Sequence, residues 1–286
     1  MASLRQIKRR MKSVDNIHEI TQAMEMIAGF RFKKAEQRFI KAKPYLLEME
    51  ELVADLSRCR EELSYPLFEI REVRKKALVL ITADKGLCGA YNTNLLRGAV
   101  AWLDENKAYE TSLVPLGKKG CEFFKKKQVP YLFAYPEKST VDLEMAKKIA
   151  QELKNLFLTR KADSIELLYC SYRPGTTGHN LRIPYLSLSR LCENRKGQAP
   201  EVDYIYEPDF DTVMNSLLSA YLEGKIYLTL LESMTSEYNA RMIAMKQATD
   251  NGEEVMDDLT LLRNKTRQAT ITRELSEIVG GASVLL

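Results

Sequence analysis

From about Ser3 to Leu56 the apolar positions step by three and four: Leu4, Ile7, Met11, Val14, Ile17, Ile20, Met24 and Ile27. The stripe then shifts by one residue and continues as Ala28, Phe32, Ala35, Phe39, Ala42, Leu46, Met49, Val53 and Leu56. An average step of about 3.5 is the seam of a coiled coil, so a long helix is predicted. Pro44 predicts a kink or a lost hydrogen bond, although the apolar steps pass through it.

The segment from about Asp209 to Leu286 contains no proline and repeats the pattern. Its stripe includes Leu231, Met234, Tyr238, Met242, Met245 and Ala248, then Val255, Leu259, Leu262, Thr266 and Ala269. Gly252 falls on this seam and predicts a bend or a close helix approach. If helical throughout, the segment is on the order of 115 Å long at about 1.5 Å per residue. Such a helix cannot be buried by its own globule and must meet another long helix, a partner protein, or both. The alternative is that each end folds back as two or three ordinary helices.

Between the two long segments the texture changes. Lys76–Thr82 is a short β-rich apolar run ending in a glycine-bearing turn. Residues 91–106, 117–128 and 140–160 read as helices. Thr111–Leu116, Val129–Ala134 and Ser164–Tyr172 read as strands, with a further strand at Arg182–Leu191. This alternation predicts a mostly parallel α/β sandwich. The chain is thus divided into an N-terminal helix over 1–57, a central domain over 75–208 and a C-terminal helix over 209–286.

Charge sharpens this picture. Residues 1–45 carry 11 Lys/Arg against 4 Asp/Glu, and residues 209–286 carry 7 against 12. The two ends are electrostatic complements, which favours their pairing, although single exposed pairs contribute only a few tenths of a kcal/mol. MASLRQIKRRMKS is basic like a presequence, but the patterned helix begins at once, so it reads as structural. No stretch approaches the length of uncharged apolar residues needed to span a bilayer.

Candidate chemistry is sparse. The five cysteines (59, 88, 121, 170 and 192) form no CxxC pair, and His18 and His179 have no second ligand at metal spacing, so no metal or other cofactor is expected. The turn Asp84-Lys85-Gly86-Leu87-Cys88-Gly89-Ala90-Tyr91-Asn92 stands where a phosphate cradle would, between a strand and a helix. Its spacing matches neither GxxxxGK[ST] nor GxGxxG, so it reads as a tight turn. Cys88 lacks a base, and no stacking aromatics interleave the basic helix as a nucleic-acid site would need. No catalytic constellation is found.

Three blocks carry a resemblance to a known family. The first is Arg5–Ala35, with Ile7-Lys8, Lys12-Ser13-Val14, Asn16, Ile20-Thr21 and Ala23-Met24-Glu25-Met26-Ile27-Ala28. The second is Thr82–Asn92. The third runs from Glu232-Ser233-Met234-Thr235-Ser236-Glu237 through Ala240-Arg241-Met242 and Ala248-Thr249-Asp250-Asn251 to Asn264-Lys265-Thr266-Arg267-Gln268-Ala269 and Ile271–Ala282. Over nearly its whole length the chain resembles the gamma subunit of rotary F-type ATP synthases. It departs from that pattern at Gly29-Phe30-Arg31-Phe32 and at Thr266.

The resemblance implies a long antiparallel coiled coil of the N- and C-terminal helices plus a central Rossmann-like α/β domain. It implies a non-catalytic central-stalk rotor subunit, coupling ion-driven rotation to conformational change in catalytic beta subunits. The implied partners are the alpha and beta subunits in a hexameric ring, the epsilon subunit and a membrane rotor ring of c subunits. The implied place is peripheral, on the cytoplasmic face of a bacterial inner membrane. Arg267, Gln268 and Thr272 match family positions that hydrogen-bond a beta-subunit loop, and Met24 matches one facing a beta lever. The competing readings are a coiled-coil scaffold with an α/β interaction domain, and a nucleotide-binding enzyme using the Gly86–Gly89 turn.

Overall fold

The computed structural model describes residues 3–57, 65–69, 71–136, 141–176, 178–188 and 204–284, apart from the side chains of 277 and 280–284. Cys59, Cys192 and the far end of the strand expected at 182–191 lie outside the described residues. In chain order the elements are helix α1 (Leu4–Leu56), strand β1 (Lys75–Ile81), helix α2 (Tyr91–Glu105), strand β2 (Glu110–Leu116), helices α3 (Lys118–Lys126) and α4 (Leu143–Leu158), strands β3 (Ser164–Ser171) and β4 (His179–Leu186), and helix α5 (Phe210–Val284). Each end of the chain is one helix, not a fold-back of two or three. Pro44 is accommodated inside α1 at an exposed position. Two compact units divide the chain: Met1–Gly29 with Arg241–Leu286, and Phe30–Ala240.

The unit of Phe30–Ala240 is organised by a sheet of order β2-β1-β3-β4. β1 runs parallel to both β2 and β3, whereas β4 pairs antiparallel with β3. The strands read as nearly continuous apolar runs because both sheet faces are covered. Leu78, Leu80 and Leu168 face Leu95, Ala99, Trp102 and Phe124 of α2 and α3. Their neighbours Val79, Ile81, Leu167 and Tyr169 join a second core with Ile149, Leu153 and Phe157 of α4. Leu46, Met49 and Val53 of α1 and Leu218, Tyr221, Leu222 and Ile226 of α5 complete that core. Burying one such side chain contributes about 1.5–3 kcal/mol, so these layers dominate the unit's stability.

The strand expected at Val129–Ala134 does not form. Tyr131 and Tyr135 make only isolated parallel bridges to Leu113 and Leu116. Pro130 supplies no amide donor, and Gln128 enters with a left-handed φ of 55°, so the ladder cannot extend.

Local chemistry sets the boundaries. Asp142 caps α4 by accepting from the Met145 amide at 2.8 Å. Asp209, just after Pro208, caps α5 by accepting from the Thr212 amide at 2.9 Å, and these bonds hold its carboxyl below the usual carboxylate range. Gly117, between β2 and α3, sits at φ 102°, and a Cβ there would lie 2.2 Å from the Thr82 carbonyl oxygen. Within this unit α1 and α5 run antiparallel: Leu46 lies beside Gly224, Arg38 donates to the Tyr227 hydroxyl at 3.2 Å, and Glu50 bonds the Tyr221 hydroxyl. Glu232 of α5 accepts from the Tyr172 amide at 3.1 Å, and burial raises its carboxyl against the lowering effect of that bond, of Tyr169 and of Lys43.

In the unit of Met1–Gly29 and Arg241–Leu286, α1 and α5 again pair antiparallel. The Thr21 and Thr249 hydroxyls meet at 3.0 Å, and three residues back along α1 and four forward along α5 His18 Nε2 meets Glu253 Oε1 at 3.2 Å. Gly252 lies against His18, so the close approach expected at that glycine is realised. The seam itself differs from the expected one. Ile7, Thr21 and Ala28 are buried and Val14 half-buried, one residue in every seven, with Leu4, Met11, His18 and Glu25 half-buried between them. Ala35, Ala42, Met49 and Leu56 continue the same interval along α1. No one-residue shift occurs: Ile17, Ile20 and Ile27, placed on the stripe by hydrophobicity, are 54%, 59% and 55% exposed. On α5 the inward line is Met245, Thr249, Gly252, Met256, Leu259, Arg263, Thr266 and Thr270, while Val255, Leu262 and Ala269 are exposed. Two polar contacts, Thr21 with Thr249 and His18 with Glu253, thus tie the helices across the seam.

Gly117→Ala combines a left-handed backbone with the Thr82 clash and is expected to destabilise by about 3 kcal/mol or more, read as a lowered urea midpoint. For Glu232 the sign follows from its raised folded value. The folded chain binds this proton more readily than the unfolded chain, so the contribution is fully favourable at low pH and is lost as pH rises above the ordinary carboxylate range through the raised value. Glu232→Gln keeps an acceptor oxygen without the charge. It is expected to flatten that decline in a series of urea midpoints against pH, and equal slopes in both proteins would contradict the assignment.

Candidate interaction surfaces

The unit of Met1–Gly29 and Arg241–Leu286 presents large apolar side chains outward. On α1 these are Ile17, Ile20, Met26 and Ile27, and on α5 they are Val255, Leu261, Leu262, Ile271, Leu275, Ile278 and Val279. A one-residue step on a helix turns a side chain through about 100°, so Ile17, Ile20 and Ile27 flank the seam along one side. Arg5, Lys8, Arg9, Arg10 and Lys12 are also exposed and give the start of α1 a basic surface. Isolated exposed apolar residues need no explanation, but a stripe of them at helical spacing marks a contact surface.

Arg267, Gln268 and Thr272 are all exposed on α5. Gln268 and Thr272 are one helical turn apart on the same face, and the Thr272 hydroxyl donates to the Gln268 carbonyl oxygen at 3.0 Å. Met24 is half-buried on α1, beside Thr21, whose partner is Thr249. About 27 Å of helix rise separates Thr249 from Arg267. The four residues therefore fall into two places: Met24 at the level of the threonine contact, and the polar trio further along α5.

In the unit of Phe30–Ala240, the turn after β1 is closed by its own residues. Asn92 Oδ1 accepts from the Ala83 amide at 3.0 Å, Asp84 Oδ1 from the Lys118 amide at 3.0 Å, and the Cys88 carbonyl from the Tyr91 amide at 3.2 Å. Leu87 takes a φ of 60° and stays exposed at the tip. The Ala83, Tyr91 and Lys118 amides are thus engaged in holding the strand to α2 and α3. Tyr91 is buried against α5, its hydroxyl 2.8 Å from Ser233 Oγ, and burial raises its pKa well above the ordinary value. Tyr172, bonded to Glu36, is pushed up to about 12, chiefly by burial. Burial likewise raises the Cys121 and Cys170 thiols, away from the thiolate a nucleophile requires. Among the described residues no group of three or more His, Cys, Asp or Glu could hold a metal ion. Among them, too, no helix is long and apolar enough to cross a membrane.

The outward isoleucines were missed by hydrophobic pattern alone, which assigned Ile17, Ile20 and Ile27 to the seam. The signal that finds them is the strict seven-residue interval of Ile7, Val14, Thr21, Ala28 and Ala35, visible once Thr21 is admitted as an inward residue.

Comparison with known proteins places these surfaces in context. The ATP synthase family matches residues 3–285. Among curated relatives, the ATP synthase gamma chain of Desulfitobacterium hafniense is 37% identical over 286 residues, covering all of both chains. That of Polynucleobacter asymbioticus is 38% identical over 294 residues, again covering all of both. Two solved structures share the fold. A chain of the Euglena gracilis mitochondrial ATP synthase superposes with a TM-score of 0.71 at 18% identity, covering 99% of this chain and 94% of its own. One from the central stalk and c-ring of the Tetrahymena thermophila mitochondrial enzyme gives 0.63 at 22% identity, covering 80% and 99%. A scaffold outside any ATPase does not account for full-length kinship of this kind, and the chain belongs to the ATP synthase gamma chain family, the central-stalk subunit of the F-type enzyme.

Proposed function

We propose that this gamma chain works as a rotor through its outward surfaces, with no catalytic residue of its own. The observation that carries the reading is the exposure of Ile17, Ile20 and Ile27 on a stretch of helix whose inward residues are His18, Thr21, Glu25 and Ala28. The chain places its best apolar residues where only a partner can cover them. A ring of alpha and beta subunits around a coiled coil of α1 and α5 supplies that cover. The parts of this rotor are the helices over 1–57 and 209–286, acting as the shaft, and the domain over 75–208, which meets the epsilon subunit and the ring of c subunits. The shaft presents different residues on its different sides, so each beta subunit meets a different surface and holds a different conformation. Turning the shaft then shifts nucleotide affinities in sequence, a population shift driven by differential contact.

Arg267, Gln268 and Thr272 supply hydrogen bonds to a beta-subunit loop in this reading, and Met24 an apolar contact to a beta lever. The exposure of the trio supports the role. The site of action is the cytoplasmic face of a bacterial inner membrane, where the chain is held peripherally by the rotor ring. Kinship to bacterial gamma chains supports that placement.

Replacing Arg267 and Gln268 together by Ala is expected to leave the urea midpoint of the isolated chain within about 0.5 kcal/mol, because both are exposed. In assembled complexes the same pair is expected to lower ATP synthesis about tenfold, the effect of losing roughly 1.4 kcal/mol of bonding to the beta subunit. Normal synthesis by such complexes would remove the two residues from the coupling contact. The isolated chain is expected to give no calorimetric signal with ATP, and micromolar binding there would require the turn after β1 to be reconsidered as a nucleotide site.

A further inference from the structure

The arrangement of α1 in the unit of Met1–Gly29 and Arg241–Leu286 has a strong competitor. Ile17, Ile20, Met24 and Ile27 form an apolar line at steps of three, four and three, whereas the line actually turned inward over the same stretch is Val14, His18, Thr21, Glu25 and Ala28. The two lines differ by one residue, or about 100° of rotation about the helix axis. A roll of that size would bury the isoleucines against Met245, Thr249 and Met256 of α5 and expose the polar set. Between residues 17 and 27 the hydrophobic effect favours the rolled arrangement, whereas buried Ile7 and Ala28 on either side favour the observed one.

Between residues 17 and 27 what opposes it is polar and directional. The Thr249 hydroxyl lies 3.0 Å from that of Thr21, both residues are buried, and each hydroxyl also reaches a carbonyl of its own helix, Met245 and His18 respectively. One turn away His18 Nε2 contacts Glu253 Oε1 at 3.2 Å, and His18 packs beside Gly252. A roll breaks both contacts at once and brings branched isoleucines into a spacing set by threonine and glycine.

We propose that Thr21, Thr249, His18 and Glu253 are positioning residues that fix the rotational phase of α1 against α5 and so hold Ile17, Ile20 and Ile27 outward. Polar residues at a helix seam here specify one arrangement against a more apolar alternative. The use of the outward isoleucines rests on the rotor reading above, but the phase itself is a property of the chain without partners.

Hydroxyl-radical footprinting of the purified full-length chain reads the phase directly. In the native chain Ile17, Ile20 and Ile27 are expected to be oxidised readily and Val14 slowly. In the triple variant Thr21→Ala, Thr249→Ala, Glu253→Ala the ties are gone. Oxidation of the three isoleucines is then expected to fall at least about threefold while that of Val14 rises, as the rolled population takes over. Thr21→Ser with Thr249→Ser keeps the hydroxyls and is expected to retain the native pattern. An unchanged pattern in the triple variant, a uniform rise at all positions from loss of structure, or isoleucines already protected in the native chain would each overturn the proposal. Footprinting of the assembled complex is a separate arm: isoleucines as reactive there as in the free chain would sink the ring contact and leave the phase assignment standing.

Discussion

Close approach between α1 and α5 constrains much of this chain. Wherever the two helices are seen in contact, at least one partner is small or hydroxyl-bearing, or the two polar groups bond directly. Leu46 meets Gly224 in one unit, and Thr21 meets Thr249 and His18 meets Gly252 in the other. A tight seam cannot accept branched side chains on both helices, because overpacking costs typically 1–3 kcal/mol per site. Large residues on these helices therefore have two destinations. In the unit of Phe30–Ala240 they enter the core shared with the sheet, as Leu46, Met49, Val53, Leu218 and Leu222 do. In the unit of Met1–Gly29 and Arg241–Leu286 no sheet is available: Ile7 and Met245 stay in the seam, while Ile17, Ile20 and Ile27 turn outward.

The α/β unit holds α5 through a set of directional polar contacts. Its polar groups at the α5 boundary are spent on holding α5 in place: Tyr91 on Ser233, the Tyr172 amide on Glu232, Ser236 on the Cys170 sulfur and Asn239 on the Thr176 carbonyl. These contacts fall on two turns of one helix, Glu232 to Asn239, beside the apolar contacts of Leu230 and Leu231. Buried hydrogen bonds each contribute only about 0.5–1.5 kcal/mol net, but leaving any of these groups unpaired would cost more. The arrangement is directional, so it sets the angle at which α5 leaves the sheet as well as the strength of the attachment.

Much of this was legible in the residues, and the failures have physical causes. The long helices, all four strands and α2 to α4 follow from period and from glycine and proline placement, although β4 begins at His179, three residues before the expected Arg182. The strand expected at Val129–Ala134 failed because apolar content was weighed above Pro130 and the left-handed Gln128. The seam failed more instructively. Pattern reading assumes that the most apolar line points inward, which holds when water is the only alternative environment. In a chain whose exposed face meets another protein, that assumption inverts: Thr21 and His18 go in, and Ile17 and Ile20 stay out. Arg267, Gln268 and Thr272 could not have been singled out by composition or spacing, since exposed polar residues on a helix are ordinary; only the likeness of the surrounding block marks them.

The two kinds of outward surface suit different parts of a rotor's work. Apolar contact is non-directional, so a stripe such as Ile17, Ile20 and Ile27 can exchange one apolar surround for another without a bond that must be broken at a set angle. Hydrogen bonds lose most of their strength with misalignment of a few tens of degrees. A polar trio such as Arg267, Gln268 and Thr272 is therefore suited to favouring particular angular positions over those between them. The two surfaces lie apart along the pair of helices: about 27 Å of rise lies between the threonine contact, where the isoleucines flank the seam, and Arg267. A helix that turned its isoleucines inward would gain apolar burial within the chain and lose the compliant surface, so stability of the isolated chain and its performance in an assembly place opposite demands on the same three residues.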